Sequence, residues 1–264
     1  MIVDTHVHTD AAWHEPIEVL NFQMDRNGVS HAILVQRTAN YDNEYLLECL
    51  TRYGDRFKAV GCIDPHDYYR VKKLEDFHKR GGSGIRMNIR REKDWGLDNA
   101  LFKAADELGM VISVIGSAVN FASARFKKLL DDFPNTHFCL EHLARSPTKR
   151  PHSLDEIAAP FEIYRQALEC AKWPNTSIKV PGLGEIIGRP EAWPMSEFPP
   201  HYEMAKAAFG VERMMWGSNF PPCSLVEGYR STLHLVREIP AFQGEGDLDW
   251  IMWKSAAKIW GFAS

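Results

Sequence analysis

Short runs of β-branched and apolar residues recur along this chain, each followed by a longer stretch in which apolar positions repeat with helical spacing. The apolar runs are IVDTHVH (2–8), HAILVQ (31–36), FKAVGCID (57–64), SGIRMNI (83–89), MVISVIG (110–116), HFCLEHL (137–143), TSIKVPGL (176–183) and RMMWGSNF (213–220). Their length and branching predict buried strands. The intervening segments predict helices. IEVLNFQMDRNG and NEYLLECLTRYG each end on a glycine suited to close a helix. YYRVKKLEDFHKRGG, NALFKAADELG, SARFKKLLDDF, EIAAPFEIYRQALECAKW and PPHYEMAKAAFG continue the rhythm, and SLVEGYRSTLHLVREI follows the last strand. Repeated strand–helix units imply a parallel sheet. Eight of them in one chain of this size predict an α/β protein, a single (β/α)8 TIM barrel. An extra C-terminal helix is expected around 247–260. No linker interrupts the series, so 1–264 reads as one domain. The rival, a doubly wound sheet, would want a glycine-rich phosphate turn after the first strand, and HTDAAWHEP is not one.

Composition narrows the class. The chain has 264 residues, 45% hydrophobic and 25% charged, enough for a sizeable core. A net charge of -4 with scattered basic residues, apart from short clusters such as Arg90–Arg91, points away from nucleic acid and membrane surfaces. The five cysteines are far apart and form no CxxC, which argues against a disulfide framework or a zinc finger and for a reducing compartment. The chain starts directly on a strand, without a leader-like segment, and nowhere do roughly 18 apolar residues run together. A cytoplasmic location is the expectation, and the outer helices of a barrel suit a homodimer.

Candidate chemistry sits at the strand ends. Side chains alternate along a strand, so Asp4, His6 and His8 are expected on one face. Two neighbouring imidazoles want a metal, an anionic substrate or a hydrogen-bond network to justify their burial. In a barrel the C-terminal strand ends converge on one mouth, where catalysis occurs. There His6 and His8 should meet His142 and Asn219. Arg86, Asn88 and Lys179 come from the fourth and seventh strands, while Arg145 and Glu185 follow the sixth and seventh. Arginine suits bidentate pairing with carboxylates, so Arg86 and Arg145 read as substrate-binding residues, with pairing of Arg86 to Glu141 or Asp64 as its structural alternative. Trp13 and Trp193 lie in lid-like loops and could wall a ring-shaped substrate. His31 and His137 begin their strands and belong at the opposite end. The long irregular segments 144–153 and 184–200 follow strands six and seven.

VDTHVH, GIRMN, EHLARSP, NTSIKVPGLGE and ERMMWGSNFPP occur in this order along nearly the whole chain. In these motifs the sequence resembles amidohydrolase-related proteins of the "amidohydrolase 2" branch, which includes sugar lactonases, 2-pyrone-4,6-dicarboxylate lactonase and metal-dependent decarboxylases. The resemblance implies that His6, His8 and His142 either bind a divalent ion or polarise a substrate carbonyl, and that Arg86 and Arg145 hold a small anionic substrate. Two positions depart from the pattern. The strand-eight aspartate is replaced by Asn219, which offers a neutral oxygen and cannot take a proton near neutral pH. The strand-five histidine has no counterpart in VISVIGS. Glu185, Glu141, Asp64 and His66 are then substitute bases, with Glu185 preferred. The resulting expectation is a hydrolase opening a small anionic lactone or related amide. It works without metal, or with a weakly held divalent ion (zinc first) on His6, His8 and His142. The alternatives are a metal-dependent decarboxylase of an aromatic or unsaturated acid and a catalytically impaired ligand-binding barrel.

Overall fold

The computed structural model describes residues 1–90, 95, 99–145, 161–187 and 197–263. Trp193, most of 144–153 and part of 184–200 lie outside the described residues. Eight parallel strands pair in sequence order: β1 (Val3–Val7), β2 (His31–Val35), β3 (Phe57–Gly61), β4 (Gly84–Asn88), β5 (Val111–Ile115), β6 (Phe138–Leu140), β7 (Thr176–Val180) and β8 (Met214–Trp216). A parallel bridge between Val7 and Phe220 brings the last strand back to the first. The architecture is a (β/α)8 barrel, as the alternation predicts.

The helices follow the amphipathic segments: α1 (Ile17–Asn27), α2 (Glu44–Tyr53), α3 (Arg70–Lys79), α4 (Ala100–Glu107), α5 (Ala118–Ala122), α6 (Ala124–Asp132), α7 (Glu162–Leu168), α8 (His201–Phe209) and α9 (Tyr229–Glu238). Gly28 closes α1 in the left-handed conformation, φ 68°, donating its amide back to Met24 and Asp25. A final helical run covers 247–260, with one π-helical stretch at Trp250–Lys254. Outward-facing Ala32, Leu34, Ile112, Leu140 and Ile178 join the helices in one large apolar cluster. The inward residues Val3, Ile33, Val35, Val60, Cys139 and Met215 form a second cluster, which Trp260 and Phe262 of the C-terminal run join. His31 and His137 lie at the strand starts, against Phe262 and Ser177 respectively. The N-terminal end is therefore closed largely by apolar side chains. Among the described residues no helix is long and apolar enough to cross a membrane.

Candidate active site

His6 and His8 leave β1 toward the mouth, but Asp4 does not share their face. The β1–β2 register shifts between Asp4 and Val7, and that irregularity breaks the simple alternation. Val3 belongs to the inner cluster, whereas Asp4 turns toward α9 and accepts from the Ser218 and His6 amides through Oδ1. Burial pushes the Asp4 carboxyl up to about 6, although hydrogen bonds from Ser218, His6 and Tyr229 oppose the rise. Asp4 is thus a support behind the imidazoles. Gly217 is required at the closure of the barrel, because a Cβ there would lie 2.7 Å from the His6 Cβ.

Four histidines form a row. The ring centroids of His142 and His6 are 4.9 Å apart, those of His6 and His8 4.9 Å, and those of His8 and His14 5.4 Å. His142 lies beyond the end of β6, in a turn where His142, Leu143 and Ala144 all have positive φ, 52°, 54° and 52°. Left-handed backbone costs non-glycine residues about 1–2 kcal/mol each, and such strain collects at functional sites. The other non-glycine residues with positive φ among those described, Ala39 and Asn219, also follow strand ends at this mouth. Asn219 donates its side-chain amide to Oε1 of Glu185 at 2.6 Å. Glu185 ends a short 3-10 turn, Leu183–Glu185, which Glu227 fixes by accepting from the Gly184 amide. Its second oxygen lies 3.8 Å from Nδ1 of His142.

Beneath this row lies a buried ionic lattice. The Arg86 guanidinium donates from Nε and Nη2 to both oxygens of Glu141, the shortest contact being 2.7 Å, and from Nη1 to the Gln36 carbonyl. Ser113 donates to Oε1 of Glu141 at 2.8 Å. Lys179, 2% exposed, places Nζ 3.1 Å from Ser113 Oγ and 3.1 Å from Nδ1 of His6. Burial alone would raise Glu141, but the charges of Arg86 and Lys179 and the Arg86 hydrogen bonds hold it down to about 2. Burial, aided by the Arg86 charge, brings His8 down to about 3, and burial with the Lys179 charge holds His6 well below the ordinary imidazole value. Burial also lowers His142, against the pull of Glu185 and Glu141. The three imidazoles are accordingly neutral at neutral pH.

The positions foreseen from sequence separate into two groups. His6, His8, His142, Asn219 and Glu185 come together. Arg86 is present but committed, so the expectation that it holds a substrate carboxylate does not fit its pairing with Glu141. A charge already met by a buried partner has little left for a ligand. Glu141, held at about 2 by the same pairing, is no base. Among the described residues Arg145 donates only to the Ile186 carbonyl, at 3.4 Å, and has no carboxylate partner. Asn88 accepts from the Arg90 amide at the rim. Trp13 is 71% exposed, with the Arg37 guanidinium 5.3 Å over its ring, and is no buried stacking wall. A cavity of about 420 Å³ opens beside Arg86, lined by Thr38, Tyr41, Asp64, His66, Met87 and Asn88 among others. Sequence reasoning missed His14, in a loop without periodicity. It also passed over Arg90, whose guanidinium lies in the field of Glu141, Arg86 and Glu185. Its place directly after β4 was the available signal.

The chain belongs to the Amidohydrolase family, whose profile matches residues 3–262. Solved structures similar in fold include an amidohydrolase from Burkholderia multivorans with bound zinc (18% identity, 100% of both chains, TM-score 0.78). They also include a putative 2-pyrone-4,6-dicarboxylic acid hydrolase from Pseudomonas putida (17% identity, 100% of this chain and 98% of that one, TM-score 0.76). A third is 5-carboxyvanillate decarboxylase from Sphingomonas paucimobilis (15% identity, 99% of both, TM-score 0.69). Uncharacterized protein y4mH of Sinorhizobium fredii (strain NBRC 101917 / NGR234) is 33% identical over 115 residues, 43% of this chain. That match spans about a third of the relative's length (35%).

One of the solved structures similar in fold carries zinc, and here His6, Glu141 and His142 hold potential ligand atoms within 4.8 Å of one another. Their chemistry does not fit a tightly held dication. Both Glu141 oxygens already accept from Arg86, and Oε1 also accepts from Ser113. The Nδ1 of His6 faces an amine rather than the carboxylate or carbonyl that usually orients a ligating imidazole. Asn219 brings no charge.

Proposed function

We propose that this protein is a hydrolase that opens a small anionic lactone or related cyclic amide at the histidine row, without a tightly held metal. The observation that carries the reading is the Nε2 of His6, which is buried and has no hydrogen-bond partner among the described residues, at the centre of the row. A buried polar atom left unpaired is costly unless a ligand pairs it, and a donor aimed at a developing oxyanion is commonly the largest catalytic contribution in acyl chemistry.

His6 donates from Nε2 to the substrate carbonyl. His8 donates its own Nδ1–H to the Val35 carbonyl at 2.6 Å, which leaves its Nε2 bare and able to accept from water or a substrate hydroxyl. Glu185, held by Asn219 and beside His142, takes a proton from the attacking water. The new C–O bond forms as the ring C–O or C–N bond breaks, and the leaving oxygen or nitrogen recovers that proton. Arg145 and Arg90, neither with a carboxylate partner among the described residues, attract the substrate's charge. The similarity in fold to a putative pyrone-dicarboxylic acid hydrolase supports this class of substrate.

A second reading, a metal-dependent decarboxylase, draws on the His6–Glu141–His142 grouping and on the likeness to 5-carboxyvanillate decarboxylase. One experiment separates them: a panel of lactones, cyclic amides and aromatic acids, assayed before and after dialysis against a chelator. The expected result is ring opening that survives chelation and falls roughly 10²-fold or more in His6→Gln. Chelator-sensitive release of carbon dioxide, with no ring opening, would overturn the proposal.

A further inference from the structure

We infer that Lys179 is a positioning residue: it holds His6 as the tautomer protonated on Nε2, which makes His6 a hydrogen-bond donor and a poor metal ligand. The inference deepens the lactonase reading and rests on it for the use to which the donor is put.

The argument follows hydrogens along one chain of contacts. Glu141 is an ionised carboxylate and accepts only. Ser113 has a single hydroxyl hydrogen, and it points to Oε1 of Glu141 at 2.8 Å. The Ser113 oxygen must then accept from Lys179, whose Nζ is 3.1 Å away. An ammonium has three hydrogens and no lone pair. Its contact with Nδ1 of His6, also 3.1 Å, can therefore run only from lysine to histidine. A neutral imidazole whose Nδ1 accepts carries its proton on Nε2. Burial lowers the Lys179 amine below its ordinary value, and the negative charge of Glu141 in the same lattice opposes that fall; the contacts to Ser113 and His6 are those of a donor.

His8 makes the opposite choice two residues away. Its Nδ1 faces the Val35 carbonyl and must donate, so its Nε2 is bare. Adjacent imidazoles thus present one N–H and one lone pair, a donor for a carbonyl oxygen beside an acceptor for a hydroxyl. Two bare nitrogens, the arrangement a dication needs, are not available together while Lys179 is charged.

The test is direct. Uniformly ¹⁵N-labelled protein at neutral pH gives two-bond proton–nitrogen correlations for each imidazole, with His6 assigned by its loss in His6→Gln. The expected pattern has His6 Nδ1 unprotonated and Nε2 protonated, and His8 the reverse. Lys179→Arg, which keeps a donor, should preserve the His6 pattern. Lys179→Met should abolish it and tighten zinc binding, measured by calorimetry with zinc alone, at least tenfold. A wild-type His6 protonated on Nδ1 overturns the inference, and so does a Lys179→Met protein whose His6 pattern and zinc affinity are unchanged. If Lys179→Met does not fold, the wild-type and Lys179→Arg spectra still decide. The expected tautomers in a protein that opens no lactone would sink the lactonase reading and leave the role of Lys179 standing.

Discussion

The side-chain amide of Asn219 donates to Oε1 of Glu185 at 2.6 Å, while its backbone amide donates to the His6 carbonyl at 2.8 Å. One residue thus ties the proposed base to the strand that carries the proposed oxyanion donor. A left-handed φ of 56° makes both contacts possible at once. Asparagine is among the non-glycine residues that tolerate this region best.

Asn219→Ala removes the amide but leaves the carbonyl-binding imidazoles in place. Turnover should fall roughly 10²-fold, with KM changed little, as steady-state kinetics on the best lactone substrate would show. Equal losses in kcat and in substrate binding would mean that Asn219 contacts the ground state instead.

Asn219→Asp sets a second carboxylate against Glu185. Like charges in contact repel, and the amide donor that holds Glu185 is lost. kcat/KM should fall across the pH range, as steady-state kinetics at several pH values would show. A gain of activity across the whole range would instead mark the present chain as an impaired barrel.

Arg86 and Glu141, 7% and 0% exposed, form the ionic centre of the barrel. Removing one partner of a buried pair strands a charge and typically costs about 3–5 kcal/mol. Arg86→Met should lower stability by about that much, read from the urea midpoint. Adding Glu141→Gln and Lys179→Met together should restore part of the loss, because both remaining buried charges are then gone. A triple variant less stable than the single one would contradict the ionic account.

The barrel was legible in sequence because buried parallel strands are continuous apolar runs, which the IVDTHVH and MVISVIG segments display without any knowledge of their neighbours. His6 and His8 were legible for the same local reason. The site's wiring was legible only in part. Arg86 meets Glu141 across 55 positions, one of the two alternative partners the sequence offered, whereas the meeting of Lys179 with His6 across 173 positions was not foreseen. No periodicity encodes such pairings. The direction of Asp4 was misjudged because an irregularity between Asp4 and Val7 leaves no compositional mark. His142 was expected inside its strand, whereas β6 ends at Leu140 and a left-handed turn carries the imidazole to the mouth.

Gly217 offers a steric test of how closely His6 must be placed. A methyl group at this position would sit 2.7 Å from the His6 Cβ, well inside contact distance. Overpacking of this kind costs about 1–3 kcal/mol. Gly217→Ala should therefore fold with a lower melting temperature and lose activity out of proportion to that loss. Full activity in a folded Gly217→Ala protein would show that the placement of His6 does not matter.

Asp4 predicts how stability responds to pH. Its carboxyl has an ordinary value of 3.8 and is raised by burial to about 6 in the folded protein. Between these values the folded state binds the proton that the unfolded state has released, so this residue's contribution becomes less favourable as pH rises from about 4 to about 6, then stays constant. A shift of about two units corresponds to roughly 3 kcal/mol, an upper figure given the hydrogen bonds to the ionised form. Asp4→Asn removes the ionisation. The amide oxygen can still accept from the Ser218 and His6 amides, and its NH2 faces Tyr229. Asp4→Asn and the present chain should have similar denaturation midpoints near pH 4. The variant should become progressively the more stable one toward pH 7, with no further divergence above it. A difference that is flat with pH, or that favours the aspartate at neutral pH, would show that Asp4 is stabilised as a carboxylate by its two backbone amides.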